Sequence, residues 1–134
     1  MRDDSRGVRI SAFAVMTALL SLTFAACDEG PPPTCNPSGI DLHISVEEGT
    51  THRFDKECLA APANQPFTIE FENHDTSSHG NHNVHIFEGS DDLFVGDIAR
   101  HETSITYEVG PLRVGMFRFK CDSHPEMNGT FIVE

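Results

Sequence analysis

Three residues near the end of the chain have side chains suited to holding a redox metal. Cys121-x-x-His124-x-x-Met127 brings a thiolate, an imidazole and a thioether together at gaps of two residues. Soft sulfur donors of this kind select copper and other thiophilic metals, and imidazole suits the same ions. Each residue alone has a plainer reading. Met is a common gap filler in cores, and a buried Cys is usually inert. The three together, between two strand-like runs, favour ligation over packing.

The cysteine count supports this. The chain has four: Cys27, Cys35, Cys58 and Cys121. Cys35 and Cys58 can pair in an oxidising compartment. Closing that loop stabilises a fold by about 3 kcal/mol in the chain-entropy model. Cys121 is then left over, and an unpaired thiol outside the cytoplasm is exposed to oxidation unless a metal occupies it.

The N-terminus places the chain in such a compartment. Arg2, Arg6 and Arg9 precede an almost unbroken apolar run from Ile10 to Ala26, which ends in small residues before Cys27. This is the layout of an export signal. Phe24-Ala-Ala-Cys27 resembles a bacterial lipobox, which implies cleavage after residue 26 and lipidation of Cys27. The alternative is an uncleaved anchor, because the run is near the lower limit for a spanning helix. Residues 27–38 then form a linker whose three consecutive prolines, Pro31 to Pro33, favour extended polyproline geometry. Residues 39–134 make one domain.

Nine Lys and Arg oppose 21 Asp and Glu, a formal net charge of −12, and three of the nine cations lie in the signal segment. Nucleic acid, which needs basic patches, is excluded as a partner. An acidic exterior of this kind could steer a partner that is basic at its contact surface.

The domain must position the three residues, and its pattern is that of strands. Ile40 to Glu47 alternates with Ile40, Leu42, Ile44 and Val46 on one face, and Phe67 to Glu72 alternates with Phe67, Ile69 and Phe71 inward. Further strands are predicted over Thr51–Phe54, Asn83–Glu88, Thr103–Val109, Val114–Cys121 and Thr130–Glu134; Leu93–Ile98 is ambiguous. Cys58–Pro66 reads as a connection, Asn73–Asn81 as a polar loop and Gly89–Asp92 as a turn. No amphipathic helix is evident, so the class is an all-β sandwich or barrel.

Strand parity supplies a fourth ligand. Side chains alternate faces along a strand. His82 shares parity with Val84 and Ile86, whereas His85 falls on the opposite parity and is expected to face solvent. Cys121 shares parity with Phe117 and Phe119. One His and the Cys can therefore project inward at the same end of a sandwich, with His124 and Met127 folding back from the loop. His82, Cys121, His124 and Met127 would then give two imidazoles, one thiolate and a weak axial thioether, the donor set of a blue-copper centre. Zinc also accepts His and Cys, but thioether serves it poorly and copper(II) outcompetes it in general affinity order. His43, His52, His74 and His101 read as surface residues.

Phe119 to Glu134 resembles the C-terminal copper loop of the cupredoxins, most of all the amicyanin and plastocyanin-like members, and His82-Asn-Val-His-Ile-Phe87 resembles that family's first-ligand strand. The resemblance spans roughly residues 40–134. It implies a Greek-key β-sandwich or barrel of seven to eight strands with one mononuclear type 1 copper, and it favours His82 over His85. The implied role is a non-enzymatic electron carrier between extracytoplasmic redox proteins. The carrier would be a monomer, lipid-anchored to a bacterial membrane on its periplasmic or outer face. Two departures stand out. Asn81 replaces the family's frequent Pro before the first ligand, in a run that offers His79 as an alternative ligand. Asp122 replaces the usual Ser or Thr after the Cys, so the bracing bond from Asn83 is expected to pass to Ser123. The rival functions are copper capture and delivery without electron transfer, supported by the His-rich approach to His82, and a metal-free interaction module.

Overall fold

A computed structural model of the protein describes Cys35, residues 38–49 and residues 52–134. The expected signal segment, Cys27 and the linker other than Cys35 and Ser38 lie outside the described residues.

Eight strands run in chain order: β1 (Asp41–Val46), β2 (Cys58–Ala61), β3 (Phe67–Asn73), β4 (His85–Glu88), β5 (Asp91–Val95), β6 (Thr103–Val109), β7 (Gly115–Lys120) and β8 (Asn128–Val133). They form two sheets, β1-β3-β6 and β2-β8-β7-β4-β5. The pairs β1–β3 and β2–β8 are parallel, and the other pairings are antiparallel. No helix occurs among the described residues.

Alternation produces β1 and β3 as expected, with Leu42, Ile44 and Val46 buried beside Phe67, Ile69 and Phe71. Ile40 departs from this. It lies before β1 and is exposed, while its carbonyl accepts the amide of Thr68 at 2.7 Å. The two sheets meet through rings: Phe54 packs on Phe71 and Phe119, and Phe67 stacks on Phe131 with centroids 5.4 Å apart. Full burial of such a side chain stabilises a fold by about 1.5–3 kcal/mol.

Two segments differ from expectation, each for a physical reason. Cys58–Ala61 is a strand rather than a connection, paired in parallel with β8. Leu59, Ala60 and Ala61 are all buried, so no alternation marks them. β5 begins at Asp91, inside the expected turn, because an edge strand tolerates acidic residues on its open side. Of the short strand expected over 51–54, the described residues keep one bridge, Phe54 to Val46. Cys35 and Cys58 are joined by a disulfide with Cα atoms 5.1 Å apart, which ties the linker's end to the start of β2.

Candidate metal centre

Three elements converge at one end of the sandwich. β7 carries Phe117 and Phe119 inward and delivers Cys121, fully buried, one residue past its end. The loop that follows is closed by its own backbone: the Cys121 amide donates to the Met127 carbonyl, and the Met127 amide to that of His124, both at 2.9 Å. These bonds explain why gaps of two residues suffice, since the turn leaves the chain little slack. Met127 is buried at the loop's close. His82 precedes β4 and is held by a two-way bridge to Ala99.

His82 points inward, on the parity of Val84 and Ile86. The ring is fully buried, with Nδ1 3.7 Å from Cys121 Sγ and 3.1 Å from His124 Nδ1, and Cys121 Sγ lies 3.9 Å from His124 Nδ1. Bonds of about 2.0–2.1 Å to nitrogen and 2.3 Å to sulfur put donors in a trigonal plane roughly 3.5 Å apart. The three atoms therefore fit one first-row ion. His124 is partly exposed, so its ring links the buried donors to the surface. His79 is exposed and stands outside this cluster.

The electrostatics favour a thiolate. Burial pushes the Cys121 thiol up, but the His82 ring and the amides of Asn83, His124 and Ser123 outweigh it and hold it below the usual thiol range. Burial pushes His82 down, and contacts with Cys121 and Asp75 raise it above the usual imidazole value. His124 is lowered by burial and by the nearby His52 and His82 rings.

Four neighbours differ from what the sequence suggests or carry no sequence signal. Asp75, in the polar loop, is buried, and its Oδ2 lies 2.9 Å from His82 Nε2. Burial opposes its charge, yet the bonds from His82 and Ser77 hold it at about 2. His52, read as a surface residue, stacks on His124 with centroids 3.9 Å apart and planes at 16°, and its Nδ1 lies 3.3 Å from Glu126. His85 does not face solvent. It is on the outer parity, as expected, but buried beneath Asp122 Oδ1 at 2.7 Å and Asp92 Oδ1 at 2.9 Å. Asn83 braces the ligand loop, but through Asp122 rather than Ser123. Its Oδ1 accepts the Asp122 amide at 2.9 Å, and its Nδ2 donates to Asp122 Oδ2 at 2.8 Å and to the Gly96 carbonyl at 3.0 Å. The register explains the choice. β4 pairs His85 with Lys120, and continuing it two residues sets Asn83 opposite Asp122.

Comparison with known proteins gives the family and the fold. Residues 13–133 match the family described as a cupredoxin-like domain. Among solved structures, the fold is similar to reduced auracyanin from the photosynthetic bacterium Roseiflexus castenholzii (TM-score 0.63, 17% identity, 72% of this chain and 98% of that one). It is also similar to auracyanin A, a "blue" copper protein from Chloroflexus aurantiacus (TM-score 0.61, 18% identity, 72% and 99%). A reduced mutant of amicyanin aligns with a TM-score of 0.51 at 18% identity over 71% of this chain and 83% of that one. No curated protein matches the sequence. At these identities the structural likeness establishes the fold.

Proposed function

Because the chain belongs to the cupredoxin-like family, we propose that it carries single electrons between extracytoplasmic redox proteins on one mononuclear type 1 copper. The observation that carries this reading is the cluster of His82, Cys121 and His124, whose donor atoms lie 3.1–3.9 Å apart at one end of the sandwich. Copper held there would supply a one-electron couple. His82, Cys121 and His124 would hold it, with the buried Met127 as the weak fourth ligand.

The protein's own contribution is rigidity and a short path outward. Asp75 and the Ala99 bridge fix His82, and Asn83 fixes the loop through Asp122. Ligands that move little between oxidation states suit fast electron transfer. His124, partly exposed and stacked on His52, offers the nearest ligand to a docking partner. The acidic surface suits a partner that is basic where it docks. In this reading the protein is a monomeric carrier rather than an enzyme, exported by residues 1–26 and anchored through lipid on Cys27.

Absorption spectroscopy and voltammetry of the copper-loaded protein test this. An intense thiolate-to-copper band, abolished by Cys121→Ser, and a reversible one-electron couple are expected. Rapid loss of copper to an apoprotein acceptor with no reversible couple would replace this reading with copper delivery. Absence of any charge-transfer band would leave a metal-free interaction module.

A further inference from the structure

The loop before His82 is built around one carboxylate. Asp75 is 4% exposed and His82 is fully buried, with Oδ2 and Nε2 2.9 Å apart. The second oxygen, Oδ1, accepts the Ser77 amide at 2.8 Å, so the carboxylate is held at both oxygens. The Asp75 amide donates to Asn73 Oδ1 at 3.0 Å, and Asn73 Nδ2 donates to the carbonyls of Gly80 and Ala99 at 2.7 and 3.1 Å. Gly80 closes the loop over it. A Cβ there would lie 2.7 Å from the Asp75 carbonyl, so only glycine admits this approach.

The consequence falls on the other nitrogen of His82. A carboxylate accepts and cannot donate, so Nε2 must carry the proton. Nδ1, the nitrogen that faces Cys121 Sγ and His124 Nδ1, is left with its lone pair free for a metal. A fixed negative charge behind a ligand also raises its basicity, which favours the more highly charged state of the metal.

We propose that Asp75 is a positioning residue for the metal centre: its carboxylate holds His82 in the Nε2–H tautomer and biases bound copper toward Cu(II). The second half rests on the copper reading above; the first does not. Nitrogen NMR of the metal-free protein, at a pH where the ring is neutral, reads the tautomer directly. Nε2–H with an exchange-protected proton is expected, and an Nδ1–H tautomer overturns the positioning role whether or not copper is the natural metal.

In the copper-loaded protein, Asp75→Asn preserves size and removes charge. The charge-transfer band should persist while the relative affinity for Cu(II) over Cu(I) falls tenfold or more, a positive shift of the midpoint potential of about 59 mV or more. An unchanged potential with the band intact overturns the electrostatic bias. Asp75→Glu, which restores the charge, should bring the potential back toward that of the parent. A parent protein with no charge-transfer band would instead refute the electron-carrier reading and leave the tautomer result standing.

Discussion

Asn83→Ala should be among the most damaging single substitutions near the centre, and the bonds it removes allow an estimate. Asn83 is 1% exposed and makes three hydrogen bonds: from the Asp122 amide to Oδ1, and from Nδ2 to the Gly96 carbonyl and to Asp122 Oδ2. A bond between neutral groups contributes about 1 kcal/mol, and one to a charged group about 1.5–3 kcal/mol. The Gly96 carbonyl and the Asp122 amide have no substitute partner from a methyl group, and the lost amide leaves a small void. The sum is about 3–5 kcal/mol. For a domain near 100 residues this lowers Tm by about 12–30 °C. Urea or thermal unfolding of the metal-free protein measures it without the added stabilisation from bound metal. Ser123→Ala is the control. Ser123 is exposed, its amide survives the substitution, and the expected change is under about 0.5 kcal/mol. A loss below about 1 kcal/mol for Asn83→Ala, or an equal loss for Ser123→Ala, would refute the assignment of the brace to Asp122.

Tyr107 is the only tyrosine, so phenolate absorption reports one site. It is buried and donates to the Asp97 carbonyl at 2.7 Å, and burial pushes the phenol above its ordinary value. A group raised on folding contributes its stability below the unfolded value, about 10, and loses it as pH rises beyond. Phenolate should therefore appear only as the fold melts, in one transition; ionisation near pH 10 in the intact fold would contradict this. Gly129→Ala would bring a Cβ to 2.4 Å from the Phe119 ring and 2.6 Å from the Glu57 carbonyl, which the Thr130 amide already holds. A cost of about 1–3 kcal/mol in thermal unfolding is expected, and an unchanged Tm would show that the ring yields freely. Reducing Cys35–Cys58, 23 positions apart, should cost about 3 kcal/mol in a denaturant titration; coincident curves with and without reductant would refute it.

The strands that can be read from sequence are those with one buried face. In β1 and β3 one parity meets the core and the other meets water, and the alternation is written in the residues. β2 is buried on successive residues and made largely of Leu and Ala, so it carries no period and reads as a connection. The same limit explains His85. Parity gives the face of a residue and not what lies over that face. The cover comes from Asp122, 37 positions away, and from Asp92, which the sequence places in a turn and the fold places on an edge strand.

The candidate ligands are legible because a metal constrains residue type and local spacing together, which few core positions do. The residues that hold them answer only to geometry. Asp75 bonds His82 across seven positions of loop, and any carboxylate among Asn73–Asn81 looks like an ordinary turn residue until the loop is folded. Ser77 and Gly80 carry the same ambiguity, although the Ser77 amide bonds the Asp75 carboxylate and Gly80 bonds the Ser77 carbonyl while packing close against Asp75. The missing Pro before His82 therefore reads differently in three dimensions. Rigidity that a proline would give through a fixed φ is supplied here by a buried carboxylate, an asparagine and a glycine closing one turn. A proline at 81 would have no amide to donate to His79, a bond that Asn81 makes at 2.8 Å. The departure at 81 and the charge at 75 are two parts of one solution to holding His82, and neither is interpretable without the other.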